Sequence, residues 1–177
     1  MSARDFSKVS PFVWDSRRFL GLSSITVRFT FLYMLTSKHV NSSGCYLLPD
    51  AYACADLGLS LDEYLAARTE LIQAGMIVFD EVTSEVLVDL WFKHNPPMNN
   101  DHMTGTCRQL EFIDSPMLRQ IATERLEAAN QKRLETLEAK KAKKIAEQER
   151  AAAEKNLENV TGLSRLAETK FLNRNSR

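Results

Sequence analysis

The sequence predicts a mainly α-helical protein with a small β-sheet, arranged as a winged helix-turn-helix domain followed by a long charged helical arm. Three observations predict this fold class. All four Tyr, both Trp and seven of the nine Phe lie before residue 100. In the same region, apolar spacing and turn residues predict elements in the order helix, strand, helix, helix, hairpin. The second half is rich in Ala, Glu, Lys, Arg and Leu, which is the composition of an extended helix.

The first elements are predicted from caps and apolar spacing. Phe6, Phe12 and Trp14 are expected to dock on the core, ahead of a short helix over residues 15–22. A cap at Ser23 or Ser24 then opens a central helix that runs to about Lys38. The broad apolar face of this helix is expected to contain Ile25, Phe29, Leu32, Tyr33 and Leu35, widened by Val27, Phe31 and Met34.

Turn residues mark the rest of the domain. A turn at residues 41–44 precedes a strand at 45–48, and a short helix from Pro49 ends at Gly58. Ser60 and Glu63 form a capping-box pattern that opens a helix over 61–74, with Gly75 as its left-handed terminator. Two strands, at 76–80 and 86–92, complete a hairpin. The inward residues of the capped helix are expected to be Leu61, Tyr64, Leu65, Ala67, Leu71 and Ile72.

These elements place residues 1–95 in a winged-helix-like domain. Residues 96–116 are predicted to be a linker with a short helix near 104–112. A long charged helix then covers 117–160, because no Gly or Pro interrupts it. Thr161 and Gly162 are expected to end it, leaving 161–177 as a flexible or short-helical tail.

The long helix sorts its charges by face. At about 100° per residue, one half of its circumference is basic and a narrower sector is acidic. This basic face consists of Arg119, Arg125, Lys132, Arg133, Lys140, Lys141, Lys143, Lys144, Arg150 and Lys155. Almost no Glu has a Lys four residues later, so the helix lacks its usual internal pairs. The face could follow a phosphate backbone, meet the acidic face of a second copy in a homodimer, or be a solvated surface.

The predicted major-groove helix is poorly suited to DNA. Its outward residues are Asp62, Glu63, Ala66, Thr69, Glu70 and Gln73. Three carboxylates would repel phosphate, and the hairpin tip at Thr83 and Ser84 has no Arg or Lys. The candidate nucleic-acid-binding residues are therefore Arg17 and Arg18 in the domain, with Lys132, Arg133, Lys140, Lys141, Lys143 and Lys144 in the arm.

The remaining chemistry of the sequence argues against an enzyme. No phosphate-binding glycine pattern, CxxC or HExxH motif occurs, so no catalytic residue, cofactor or metal site is expected. His94, Asp101, His102 and Cys107 cluster along the chain but match no zinc spacing. Cys45, Cys54 and Cys107 are predicted to be free thiols. Without a signal segment or membrane span, the expected location is the cytoplasm.

Two stretches resemble a known family. Residues 31–64, FLYMLTSKHVNSSGCYLLPDAYACADLGLSLDEY, and residues 71–99, LIQAGMIVFDEVTSEVLVDLWFKHNPPMN, are similar to the N-terminal winged-helix domain of phage and prophage replication proteins. These proteins are loosely similar to DnaD-like primosomal proteins and helicase loaders. The similarity covers about residues 8–103. It implies a role at replication origins or in helicase delivery, although the arm lacks a compact DnaD-type second domain and any ATP-binding motif.

The leading hypothesis from the sequence is a non-enzymatic, phage-type DNA-binding accessory protein of replication. Its winged helix would serve as scaffold and its basic face would contact phosphate. The alternative is an adaptor or inhibitor that binds a host or replisome protein involved in nucleic-acid processing. A transcription regulator is the third hypothesis, which the acidic helix at 61–74 disfavours.

Overall fold

A computed structural model describes residues 7–172, without the side chains of residue 154 and residues 157–172. A 3₁₀ turn at Pro11–Asp15 precedes α1 (Arg17–Leu20) and α2 (Ile25–Thr36). Strand β1 (Cys45–Leu47) leads to α3 (Asp50–Leu57) and α4 (Leu61–Gln73). The hairpin of β2 (Ile77–Asp80) and β3 (Glu85–Val88) is followed by α5 (Trp91–His94), α6 (Asn100–Glu111) and α7 (Pro116–Leu172).

The three strands form one antiparallel sheet in the order β1-β3-β2. Cys45 pairs with Leu87 across β1 and β3, and Val78 pairs with Leu87 across β2 and β3. Along the chain the order is α2, β1, α3, α4 and then the hairpin of β2 and β3, as in a winged-helix domain, and α2 packs against α4. The predicted mainly α fold with a small sheet is confirmed.

Local capping signals lie where the sequence predicts them. The Ser24 hydroxyl accepts a hydrogen bond from the Val27 N–H at the start of α2. Ser60 and Glu63 complete both halves of a capping box at α4. Gly58 and Gly75 adopt left-handed backbone conformations at φ +68° and +63°, which end α3 and α4 with little strain because glycine has no Cβ.

The buried faces of two helices differ from the prediction. Ile25 and Phe29 of α2 are 82% and 58% exposed, whereas Thr30 joins Val27, Phe31 and Met34 in the interior. In α4, Leu61 and Ile72 are also exposed, and Arg68 takes a buried position. Of the aromatic residues predicted to dock on the core, Phe12 is 75% exposed, whereas Trp14 is 58% exposed but packs its ring against the buried Phe19. Phe6 lies outside the described residues.

The compact unit extends well beyond residue 95. It ends at Arg133, and a second unit begins at Leu134. Helix α6 contributes Leu110 to the core, and α7 contributes Leu118, Ala122 and Leu126 at a spacing of four residues. This spacing places the three side chains along one face of the helix. The chain after β3 therefore contributes to the core, and the compact unit extends past residue 95, where the predicted winged-helix-like domain ends.

Hydrogen bonds hold these added helices to the winged helix. The hydroxyl and the N–H of Ser42 donate hydrogen bonds to Oε1 of Gln109 in α6, at 2.7 and 3.0 Å. The buried Glu85 carboxylate accepts the backbone N–H groups of Asp114 and Ser115, at 2.9 and 2.7 Å. Since Glu85 begins the central strand, it joins the sheet directly to the start of α7.

Two further boundaries differ from the prediction. The last strand ends at Val88, and α5 occupies the segment that was expected to continue it to residue 92. Helix α7 continues through Thr161 and Gly162 to Leu172, a length of roughly 85 Å. A glycine within a helix costs about 1 kcal/mol relative to alanine, which a long run of helix-forming residues can offset. The end of the predicted tail, residues 173–177, lies outside the described residues.

The three thiols are free, as predicted. Burial, assisted by the charge of Glu85, raises the pKa of Cys45 to about 12. Since only the thiolate reacts, we expect iodoacetamide to alkylate the half-buried Cys107 well before the buried Cys45 at about pH 8. Peptide mapping by mass spectrometry measures both rates, and all three thiols should react in denaturant. Equal rates for Cys45 and Cys107 in the native protein would mean that β1 opens readily.

Candidate nucleic-acid interface

Helix α4 presents a negatively charged outer face. Asp62 and Glu63 are exposed in its first turn. Hydrogen bonds from the Ser60 hydroxyl and backbone N–H lower the pKa of Glu63. One turn from the other end, Glu70 accepts the Ser23 hydroxyl and N–H at 2.5 and 2.6 Å, which lowers its pKa as well. Both carboxylates stay ionised at neutral pH, so this face repels phosphate.

The hairpin tip also lacks cationic groups. Val82 projects into solvent and is 93% exposed. Hydrogen bonds from the Ser115 side chain and the Val82 N–H lower the pKa of Asp80. The neighbouring Glu81 carboxylate accepts hydrogen bonds from Arg68. Neither α4 nor the tip is therefore a candidate for the standard DNA contact of a winged helix.

Arg68 was not identified as important from the sequence, because its partners are distant along the chain. Its side chain is 5% exposed. One guanidinium nitrogen binds Asp50 at the start of α3, and another donates to both Glu81 oxygens at 2.8 and 2.7 Å. The guanidinium also lies 3.9 Å from the centre of the Phe79 ring. Arg68 thus ties α4 to α3 and to the hairpin.

The two arginines predicted to contact nucleic acid in the domain have different surroundings. Arg17 is exposed. Arg18 donates to the Asp89 carboxylate at 2.9 Å and to the Gly75 carbonyl at 2.8 Å. Asp89 also binds Arg125 of α7 at 3.1 Å. Arg18 therefore has a structural role that competes with contacts to a ligand, whereas Arg17 remains accessible.

The six predicted residues of the arm also divide into two groups. Arg133 donates to Asn100 of α6 at 2.7 Å and to Asn130 within its own helix, so it belongs to the compact unit. Lys132 is exposed beside it. The other four lysines, at positions 140, 141, 143 and 144, lie in the second unit and are exposed. Within the described residues, no salt bridge joins these four to an acidic side chain.

A groove in the compact unit was not predicted from the sequence. It encloses about 500 Å³ between the N-terminal segment, α2 and α5. Its apolar surface includes Val9, Phe31 and Leu35. Four cationic side chains also line it, namely Lys8, Arg17, Arg18 and Lys93, together with His94 and two carboxylates. Arg17 and Arg18, which the sequence analysis named as candidate nucleic-acid contacts, were the signal that pointed to part of this lining.

Two segments within the stretches that resemble phage replication proteins, residues 35–50 and 91–97, contact each other. The Trp91 ring covers Gly44, whose backbone is left-handed at φ +66°. The Trp91 indole N–H donates to the Ser42 carbonyl at 2.9 Å. A Cβ on residue 44 would lie 2.2 Å from Cγ of Trp91, so only glycine fits there. These stretches therefore have a structural explanation that is independent of any ligand.

Among the described residues, no group of three or more His, Cys, Asp or Glu side chains could hold a metal ion. His102 instead accepts the Met98 N–H through Nδ1 at 3.1 Å. Within the same part of the chain, no helix has both the length and the apolar composition needed to cross a membrane.

Comparison with known proteins gives no family assignment. No protein-family model matches the sequence, and neither the curated proteins nor the solved structures contain a significant match.

Proposed function

We propose that this chain is a non-enzymatic DNA-binding accessory protein that holds the phosphate backbone with the lysines of α7. The exposed lysines at positions 140, 141, 143 and 144 carry the proposal. They occupy two successive turns of one helix and can meet successive phosphates without reading base sequence. The resemblance to phage replication proteins extends the proposal to a cytoplasmic role in DNA replication.

The charge distribution favours the arm over the winged helix as the DNA contact. Glu63 and Glu70 on the outer face of α4 are ionised at neutral pH, and serine hydrogen bonds lower the pKa of both carboxyls further. The exposed lysines of α7 are cationic at neutral pH and lie on flexible side chains that adapt to phosphate. The winged helix then acts as scaffold, and the protein binds DNA without a sequence preference.

Reversing the four lysine charges tests the proposal. We expect the variant with glutamate at 140, 141, 143 and 144 to lose at least about 100-fold in duplex affinity at about 50 mM salt. If the native lysines neutralise about four phosphates, native affinity should also fall by about 100-fold between 50 and 200 mM salt. Fluorescence anisotropy with labelled duplex DNA measures both quantities.

The acidic face of α7 provides a matched control. Glu138 and Glu149 are exposed on the same helix, and changing both to glutamine removes negative charge while keeping good helix formers. This variant should bind duplex DNA at least as tightly as the native chain. Unchanged affinity in the lysine variant would exclude the arm as the phosphate contact.

A protein-binding adaptor or inhibitor is the second candidate function. The ionised Glu63 and Glu70 on the outer face of α4 favour it, because a fixed acidic surface can match the nucleic-acid site of a host or replisome protein. This candidate replaces the first if the full chain binds no DNA at about 50 mM salt. A transcription regulator would need α4 in a major groove, which the same carboxylates oppose.

A further inference from the structure

We infer that the compact unit carries a second nucleic-acid site, a stacking platform for single-stranded DNA formed by Phe12, Trp14, Lys8, Arg17, Lys93 and His94. This inference rests on the proposed function and specifies the strand type that the protein prefers. It assigns a binding role to the N-terminal segment, which the fold itself leaves largely unburied. The platform is separate in sequence from the lysines of α7.

Exposed aromatic rings are the first observation. Phe12 is 75% exposed and Trp14 is 58% exposed, although both are large apolar side chains. The Trp14 ring packs edge-on against the buried Phe19, with ring centres 5.2 Å apart, so part of its surface is anchored and the rest faces solvent. Unpaired bases stack on such rings, whereas the bases of a duplex are already stacked on each other.

The groove that Phe12 lines is the second observation, and Trp14 is connected to it through Phe19, which also lines the groove. Its volume of about 500 Å³ lies within the usual range for a small-molecule pocket. Its walls include Val13, Leu35 and Leu90. An unstacked base is a flat aromatic ring with polar edges and a volume well below that of the groove, so the groove has room for a base together with part of its sugar.

The charge around the groove is the third observation. Its lining contains four cationic and two anionic side chains, a formal charge of +2 with His94 neutral. Asp89, one of the two acids, is already bound by Arg18 and Arg125. The accessible cations are Lys8, Arg17 and Lys93, which belong to three different segments of the chain. Aromatic rings bordered by cations are the combination that single-strand binding sites use.

An anionic peptide is the main alternative occupant, since it could also meet cations and an apolar groove. The exposed rings of Phe12 and Trp14 favour a nucleic acid over an anionic peptide. Each base offers a face that can stack on a ring, and each nucleotide also adds one phosphate for the cations. A test therefore has to separate stacking from simple charge neutralisation. Competition by polyglutamate, which has charge but no bases, makes this separation.

Anisotropy titrations of the full chain compare labelled oligothymidylate of about 15 nucleotides with a duplex of equal length. We expect the native chain to bind the single strand more tightly at the same salt concentration. Changing Phe12 and Trp14 to alanine should weaken single-strand binding by about 10- to 100-fold and leave duplex binding unchanged. Arg17→Glu should also weaken single-strand binding.

Matched controls exist within the same unit. Phe112 is 71% exposed and Arg108 is exposed, and neither lines the groove. Phe112→Ala and Arg108→Glu should leave single-strand affinity within about twofold of the native value. Circular dichroism spectra of all variants check that they remain folded.

Tryptophan fluorescence gives a readout that depends on stacking. Oligothymidylate should quench the exposed Trp14, and Trp91, which is 4% exposed but lines the groove, should contribute a smaller part of the change. Trp14→Phe should therefore remove most of the quenching but keep most of the affinity. Polyglutamate at equal charge should compete poorly with the oligonucleotide.

Each outcome has a distinct meaning. Equal loss of single-strand and duplex binding in the Phe12 and Trp14 variant, absence of quenching, or effective competition by polyglutamate would overturn the platform. Duplex binding that depends on the α7 lysines would then still support the proposed function. If neither nucleic acid binds the native chain, the proposed function fails together with the platform.

Discussion

Replacing Gly44 with alanine is expected to lower the free energy of unfolding by about 2–5 kcal/mol. Two effects add. An alanine at φ +66° enters a backbone region that costs about 1–2 kcal/mol for residues with a Cβ. The new Cβ would also lie 2.2 Å from Cγ of Trp91, which forces the ring or the turn to move. Chemical denaturation followed by circular dichroism measures the change.

Gly58→Ala is the control for this experiment. Gly58 has nearly the same backbone angle, φ +68°, but no described atom lies within 4 Å of the position its Cβ would take. The control should therefore lose only the backbone term of about 1–2 kcal/mol. A loss for Gly44→Ala no larger than that for Gly58→Ala would show that Trp91 does not pack closely on the turn in solution.

Arg68→Ala is expected to lower the free energy of unfolding by about 2–4 kcal/mol. The substitution removes a buried guanidinium and leaves the carboxylates of Asp50 and Glu81 facing each other without a cation. Those side chains are 31% and 68% exposed, so water can partly solvate them. This hydration keeps the loss below that of a fully enclosed pair. The contact with the Phe79 ring disappears as well.

Arg18→Ala tests whether burial sets the size of this effect. Arg18 also pairs with a carboxylate, Asp89, but its side chain is 44% exposed. We expect a loss of at most about 1 kcal/mol from the same denaturation measurement. Similar losses for both arginines would contradict the view that Arg68 is the main polar connection between α4, α3 and the hairpin.

The element order was predictable because its signals are local. The Ser24 cap, the Ser60–Glu63 capping box and the glycines at 58 and 75 each act within one turn of chain. The buried face of α2 was not predictable, because this helix is apolar on nearly every side. Ile25 and Phe29 are as hydrophobic as the residues that became buried, so only tertiary packing distinguishes them.

The candidate site was predictable only in part for the same reason. Exposure of the four lysines of α7 follows from a charged segment with few apolar residues. In contrast, the pairing of Arg18 with Asp89 joins residues far apart in sequence, as do the contacts of Arg68 and Glu85. The spacing of Leu118, Ala122 and Leu126 was a usable signal that α7 begins inside the core.

The carboxylate of Glu85 links the central strand to the residues that begin α7. This contact makes the first part of α7 a part of the compact unit. A piece that ends after β3 would lack the two N–H groups that donate hydrogen bonds to Glu85. It would also expose the part of the core that Leu118 and Leu126 cover. A piece of the chain that keeps these contacts together therefore runs to Arg133. The winged helix alone is therefore incomplete, because the first turns of α7 cover part of its core.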